Sequence, residues 1–424
     1  MACPRRLHSG SERPIWTRKH QAGQRQLGPR AGIAYSLDSK TVIRTGAGIY
    51  YVHDFQNAQF DSVRNPPFSF RGNQNASASI PNVTWTNAIN NGVPGYYYTN
   101  QYDQPTTRAY QYSFGIERRL SQSATLETDY VASADAYVER FVSYNTSQPG
   151  PGSAVANRPF PLFSGTFQDL NSSNHASYNS LQVKFSQRLS HGFTLLSSYT
   201  YGKSLDGNSS PRGAPGDTQT PPNPYNCLAC ERGLSTFDYK MRWTDSLLYN
   251  LPIGKGQQWL GNAGHATNAV VGGWQLGTIF TWEGGLPTNA NCQNSAVQNN
   301  SNTCYPDATG IDPNGGPGIG SPTNYWNEAA FVDRLPGGAA YRYGNSGRDT
   351  LIGPDLVNWD FSMLKNVAIT ERQSLQLRGE MYNVANHPDF GLPGAQRATA
   401  TFGVISGPTI SNSRQFQVAL KYIF

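Results

Sequence analysis

The sequence predicts an all-β protein, an antiparallel transmembrane β-barrel portion of about eleven strands. Three observations lead to this prediction. Segments of roughly ten residues alternate between apolar and polar side chains, as expected for strands with lipid on one side and water on the other. The connections between these segments are short and long in turn. No run of about 18 apolar residues occurs in the chain, so a membrane-spanning helix is not predicted.

The predicted strands follow one another as hairpins. The first hairpin pairs residues 31–38 with residues 41–51 through a tight turn at Asp38-Ser39-Lys40. Its first strand places Ile33, Tyr35 and Leu37 on one face, since side chains alternate along a strand. The remaining predicted strands are 109–120, 125–133, 179–190, 193–204, 237–252, 274–282, 357–363, 375–384 and 414–424.

The terminal segment 414–424 has the clearest alternation and ends the chain on an aromatic residue. Its apolar face is formed by Phe416, Val418, Leu420, Tyr422 and Phe424. The other face is formed by Gln, Ala and Lys side chains. Such a segment resembles the terminal strand of bacterial outer-membrane barrels, which implies two partners, the barrel-assembly machinery and outer-membrane lipid.

The lengths of the connections predict which side of a membrane each one faces. Short turns are expected at 38–40, 121–123, 190–192 and 370–373, and 252–272 is a longer connection at the same end. Long segments rich in Pro, Gly and Asn are expected at 53–104, 145–174, 205–234, 285–354 and 386–412. Outer-membrane barrels have short periplasmic turns and long external loops. The pattern therefore favours a barrel over a soluble β-rich protein and places Phe424 at the periplasmic side.

The strand count has a further implication. Bacterial outer-membrane barrels normally have an even number of strands. An odd count that ends in the periplasm places the start of the first strand outside. We therefore expect one or more strands before Ala31, and a chain that is a fragment of a longer protein.

Composition and charge narrow the classes of function. Charged residues make up 14% of the chain, whereas soluble domains carry about 25%. Residues 1–30 hold seven basic groups and one acidic group, and so account for the whole net charge of +6. We expect 1–27 to be a basic, disordered arm, which lacks the apolar stretch of a signal peptide. The remainder, 31–424, has as many acidic as basic residues and gives no reason to expect a nucleic-acid partner.

Several stretches of the sequence carry a resemblance to a known family. They are 27–51, Asn65-Pro66-Pro67-Phe68, 343–366, 369–391 and 411–424. Residues 28–424 resemble the C-terminal β-barrel half of a TonB-dependent outer-membrane receptor, in the large-loop group with a carboxypeptidase-regulatory-like N-terminal domain. The resemblance implies a barrel of about 22 strands with a plug domain inside. It also implies an energy-coupling inner-membrane complex as a partner, although neither a plug nor a coupling box is recognisable in this sequence.

The sequence offers no constellation for catalysis. The HExxH, GxSxG and Walker motifs are absent, and the seven histidines are never paired at metal-ligand spacing. The glycine-rich stretch 315–320 neither follows a predicted strand nor opens a helix. Asp307, Asp312 and Asn314 miss the spacing of a calcium loop. We therefore predict no enzymatic activity, no cofactor and no metal.

Four of the five cysteines fall in two predicted external loops. Cys227 and Cys230 share one loop, and Cys292 and Cys304 share another. The cell surface permits disulfides, so one bridge within each loop is the favoured interpretation. Free thiols, or a zinc site formed by all four side chains, are the alternatives.

Two functional hypotheses follow. The first is a receptor for uptake of a bulky nutrient, for which a carbohydrate is one candidate. The second is a barrel that serves as a surface scaffold or adhesin without transport. Aromatic side chains in the long loops are the candidate ligand contacts, because such rings stack on sugars and other planar surfaces. They are Tyr96, Tyr97, Tyr98, Tyr325 and Trp326.

Overall fold

The fold is described by a computed structural model. The structure describes residues 26–52, 96–101, 104–151, 156–163, 166–190, 192–210, 221–223, 225, 227–292, 304–333, 342–370 and 372–424. Seventeen strands and one α-helix are assigned in these ranges. The strands are β1 (Arg30–Ser36), β2 (Thr41–Val52), β3 (Tyr96–Asn100), β4 (Thr107–Arg119), β5 (Ala124–Tyr144), β6 (Thr166–Ser190), β7 (Phe193–Asp206), β8 (Gly233–Leu234), β9 (Met241–Asn250), β10 (Trp274–Glu283), β11 (Pro287–Thr288), β12 (Asp307–Ala308), β13 (Phe331–Val332), β14 (Leu351–Ile352), β15 (Leu356–Ala368), β16 (Ser374–Tyr382) and β17 (Gln415–Ile423). The helix α1 spans His265–Val271.

Eleven of these strands form one continuous antiparallel path, in the order β1-β2-β4-β5-β6-β7-β9-β10-β15-β16-β17. They correspond one to one to the eleven predicted strands, so the prediction of the fold class is confirmed. Within the described residues, β1 pairs only with β2 and β17 only with β16, so the sheet is not closed. Because eleven is odd, these two edge strands run in the same direction.

The sheet has one apolar face that continues from strand to strand. Residues directly opposite each other in an antiparallel pair lie on the same face. From Phe416 of β17 the register leads to Met381 of β16 and then to Phe361 of β15. Leu247, Tyr199, Val183, Ile116 and Ile43 follow on the same face of the strands further along the path. The alternation read from the sequence is therefore realised across the whole sheet.

The opposite face is polar and carries ion pairs between neighbouring strands. Arg44 of β2 lies 2.6 Å from Glu117 of β4, and Lys184 of β6 lies 3.1 Å from Glu127 of β5. Glu117 and Glu127 are directly opposite each other, so two carboxylates stand side by side between two cations. Like charges directly opposite each other on neighbouring strands are destabilising, and the two cations offset this repulsion.

The prediction for one of the long loops is wrong. Residues 145–174 were expected to be loop, but β6 begins at Thr166 and β5 extends to Tyr144. These two strands have 25 and 21 residues, about twice the length needed to cross a bilayer. Residues 138–144 of β5 pair with residues 167–174 of β6 beyond the ends of the neighbouring strands β4 and β7. The short strand β3 pairs with β6 in parallel. Phe141 and Leu170 are buried there, with Tyr98 packed against them.

The connections are sorted by length as predicted. The connections at one end are short, except 251–273, which contains α1. The sequence did not predict this helix. At the other end the connections between main strands are long and contain the short strands β8 and β11 to β14. We call these the short-turn end and the long-loop end.

Candidate functional site

The long loops pack together at the long-loop end, and we call this assembly the loop layer, formed by the described parts of 207–240, 284–355 and 383–414. It contains a cluster of buried hydrophobic residues, which are Ala290, Trp326, Ala330, Phe331, Leu351 and Phe402. The Trp326 indole is 1% exposed and donates a hydrogen bond to the Ile352 carbonyl oxygen at 2.7 Å. The loop layer therefore has its own hydrophobic core.

A buried ion cluster joins two of the loops to the end of β7. The Arg348 guanidinium lies 2.6 Å from the Asp206 carboxylate and 3.0 Å from the Asp349 carboxylate. All three side chains are at most 4% exposed. The guanidinium also donates to the carbonyl oxygens of Asp206, Glu231 and Leu234 and to the Ser209 hydroxyl, at 2.8 to 3.2 Å. Its planar array of donors therefore links segments up to 142 residues apart in sequence.

Tyr305 contacts Glu231, which also accepts a hydrogen bond from Arg348. Its phenol donates a hydrogen bond to Glu231 Oε2 at 3.0 Å, and both residues are buried. Burial raises the pKa of the Tyr305 phenol well above its ordinary value, and the neighbouring Glu231 carboxylate raises it further. The phenol therefore stays protonated and serves as a donor. A buried tyrosine hydroxyl that faces a carboxylate holds the loops together rather than acting as a base.

The four loop cysteines lie within bonding distance in two pairs. Disulfides join Cys227 to Cys230 and Cys292 to Cys304, with Cα atoms 5.3 Å apart in each pair. The first bridge spans the start of a 3₁₀ turn, Leu228–Glu231, and so places Glu231 beside Arg348. The second is buried, and the Gln396 amide donates a hydrogen bond to the Cys292 carbonyl oxygen beside it. The two pairs lie on different loops.

A polar pocket of about 290 Å³ opens on the polar face of the sheet, at the long-loop ends of β15, β16 and β17. It is lined by Asn358, Asp360, Tyr382, Asn383, Ser411, Asn412, Ser413 and Gln415. Amides and hydroxyls dominate this lining. Such groups both donate and accept hydrogen bonds, so the pocket suits a polar ligand.

Asn383 fixes the shape of this pocket. Its backbone is left-handed, with φ of 49°, a conformation that Asn tolerates better than most residues. Its backbone N–H donates to Asp360 Oδ1 at 2.9 Å, and its side-chain amide donates to the Asn412 and His387 carbonyl oxygens. The buried Asn383 therefore ties the end of β16 to the segment that leads into β17.

The candidate ligand contacts fall in three different environments. Tyr97 packs edge-on against Phe163 and is tilted against Phe167, and Tyr98 packs against the buried Phe141. The buried Trp326 is a core residue of the loop layer rather than a ligand-facing one. Tyr325 is half-buried beside it. The side chain of Tyr96 lies outside the described residues. The polar pocket was not predicted from the sequence, because its residues lie on three strands and a loop.

Within the residues that the structure describes, no helix is both long and apolar enough to cross a membrane. The same ranges contain no group of three or more His, Cys, Asp and Glu residues arranged to hold a metal ion.

Comparison with known proteins decides the family. Residues 12–417 match the family described as "Outer membrane beta barrel domain". The chain belongs to this family. For an outer membrane beta-barrel domain, the short-turn end is periplasmic and the long-loop end is external, and the apolar face of the sheet contacts lipid. No significant match is found among curated proteins.

Three solved structures of outer-membrane proteins are similar to this chain at low sequence identity. The outer membrane transporter YddB from Escherichia coli is 11% identical, with a TM-score of 0.50, and the match covers 91% of this domain and 39% of YddB. The FrpB iron transporter from Neisseria meningitidis is 10% identical, with a TM-score of 0.43 and coverages of 94% and 39%. The ferric-catecholate import receptor Fiu from Escherichia coli is 8% identical, with a TM-score of 0.40 and coverages of 93% and 34%. The chain thus spans less than half the length of these structures, and the similarity to YddB shows the fold alone.

Proposed function

We propose that this domain is part of the barrel wall of a TonB-dependent receptor that imports a bulky nutrient. One observation carries the proposal. The open eleven-stranded sheet, with short periplasmic turns and a packed external loop layer, has the fold of part of the transporter YddB. An enzyme would need a constellation of reactive groups, and the buried charges of the loop layer are instead held in ion pairs and hydrogen bonds.

The two edges of the sheet indicate what completes the barrel. β1 and β17 run in the same direction, so an antiparallel closure requires an odd number of further strands between them. We propose that these strands belong to the same receptor. Its plug would fill the lumen against the polar face, and the carboxypeptidase-regulatory-like domain is part of this proposal through the sequence resemblance alone. Energy would come from the inner-membrane complex that engages such receptors.

The polar pocket is the proposed first contact of the nutrient with the barrel wall. It lies at the external mouth of the lumen, where an incoming solute meets Tyr382 and Gln415 before the deeper wall. A carbohydrate nutrient has no support in the comparisons. The class of nutrient is therefore a question for the transport assay.

The test is an uptake assay in the bacterium that carries the gene. Labelled ferric chelates and labelled oligosaccharides are supplied to cells with the gene intact, deleted, or carrying Tyr382→Ala. An active transporter loses uptake of one ligand on deletion and also when a protonophore removes the energy source. The matched control is Tyr110→Ala on the lipid-facing side, which leaves uptake unchanged. A scaffold or adhesin would show the same uptake in all strains, and this result would refute the proposal.

A further inference from the structure

The connection 251–273 differs from every other periplasmic connection of the main strands. The others, at 37–40, 120–123, 191–192 and 369–373, have two to five residues, whereas this one has twenty-three. Length alone has no consequence, because surface loops tolerate insertions at small cost. The distinguishing feature is that this segment is folded and attached to one side of the barrel wall.

The segment folds into a compact unit around α1. The Gly254 N–H donates to the Trp259 carbonyl oxygen, and the Trp259 N–H donates to the Pro252 carbonyl oxygen. The Asn268 side chain accepts a hydrogen bond from the Lys255 N–H at 2.7 Å, which joins the first half of the segment to the helix. Its side chains are therefore presented in a defined arrangement.

Two contacts attach this unit to the lipid-facing side of the wall. Trp274 of β10 is directly opposite Lys365 of β15, and Lys365 is opposite Leu377 of β16, so all three lie on the apolar face. The Trp274 indole donates to the Val270 carbonyl oxygen at 3.0 Å, and the Lys365 ammonium donates to the Gly272 carbonyl oxygen. The C-terminal end of α1 is therefore held on the side of the wall that contacts lipid, at its periplasmic rim.

The unit exposes large apolar side chains at this position. Trp259, Leu260 and Val270 are 61%, 57% and 68% exposed. The segment contains Lys255 and His265 and no Asp or Glu, so it carries no charge that an anionic surface would repel. Trp side chains are enriched at the rims of membrane proteins, and apolar groups beside a cationic residue are typical of segments that lie in the membrane interface.

We propose that residues 251–273 are a membrane-interface anchor, which rests on the phospholipid of the periplasmic leaflet beside the barrel. The anchor is attached through Trp274 and Lys365, which lie on the lipid-facing side of β10 and β15, and this position argues for lipid rather than a protein as its partner. Insertion removes these apolar side chains from water, which is favourable in proportion to the apolar area that is buried. The anchor thereby fixes the height of this part of the rim in the bilayer. The proposal does not depend on transport.

The test measures contact with lipid directly. A fluorescent amino acid takes the place of Val270 in the full chain, and the control carries the same residue at Ser39 in the first periplasmic turn. Both proteins are inserted into phospholipid vesicles with brominated acyl chains, and inserted protein is isolated by flotation. We expect the probe at position 270 to be quenched about two-fold or more relative to position 39. Equal quenching at the two positions would overturn the proposal.

A second variant separates the anchor from its attachment. Trp259→Ser combined with Leu260→Ser keeps the hydrogen bonds of Trp274 and Lys365, and we expect it to weaken quenching at position 270. Ile311→Ser, at an apolar residue that is 49% exposed on the external side, is the control and leaves quenching unchanged. A probe at position 270 that is shielded from both the bromines and aqueous iodide would indicate a protein contact instead, and would also overturn the proposal.

Discussion

The buried ion cluster of the loop layer allows a sharp mutational test. Arg348→Met removes the guanidinium but keeps an apolar side chain of similar length. It removes the cation that contacts the buried Asp206 and Asp349 carboxylates, and it removes the guanidinium donors from the carbonyl oxygens of Glu231 and Leu234. The substitution therefore affects the contacts between loops and not the pairing of the barrel strands.

The magnitude follows from burial. Removing one partner of a buried ion pair costs about 3 to 5 kcal/mol, because the remaining charge has no compensation. Arg342 provides the matched control in the same loop, since it pairs with Asp307 at 3.0 Å but is 43% exposed. An exposed pair of this kind contributes about 0 to 1 kcal/mol. We therefore expect Arg→Met to destabilise the loop layer much more at position 348 than at position 342.

Hydrogen exchange measures the difference, because it reports local opening of the loop layer separately from the barrel. We expect Arg348→Met to accelerate exchange in 228–235 and 342–352 by about 100- to 4,000-fold, since about 1.4 kcal/mol corresponds to a factor of ten. Arg342→Met should change it by less than about ten-fold. Adding Asp206→Asn to Arg348→Met should restore part of the protection, because it neutralises one of the two carboxylates that Arg348 contacts in the wild type. Equal exchange in the two single variants would refute the reasoning.

Three further predictions concern the wall, the bridges and the terminal strand. Asp245 lies on the lipid-facing side, opposite Ser197 and Phe280, where it accepts a hydrogen bond from the Trp243 indole at 2.9 Å. Asp245→Leu should raise the free energy of unfolding in lipid by about 1 kcal/mol, and a lower value in urea titrations would contradict this. Cys292→Ser should increase proteolysis of the loop layer, because a bridge that closes a loop of this size contributes about 3 kcal/mol. Alkylation of both thiols in the unreduced wild type would disprove the bridge. Deletion of Phe424 should lower the yield of heat-modifiable protein in the outer membrane, and an unchanged yield would exclude its role as an assembly signal.

The sequence was sufficient for the barrel wall because the information there is local. Alternation at period two identifies a strand and its two faces without reference to any other part of the chain. The eleven strands, their lipid-facing side chains such as Phe416 and Val418, and the sorting of short and long connections were all predicted in this way. Boundaries were less accurate where β5 and β6 extend beyond the membrane, because strands in water need no strict alternation.

Only the tertiary structure decided how the loops are arranged. Arg348 and Asp206 are 142 residues apart, and no periodicity connects them. Trp326 looked like a ligand contact because it is aromatic and lies in a loop, but the loop layer has a core of its own that buries it. The polar pocket combines residues from three strands and one loop. Helix α1 also needed the structure, because its seven residues are held by the rim of the barrel and show no amphipathic repeat. A strand pattern depends on neighbours in sequence, whereas a packed loop depends on neighbours in space.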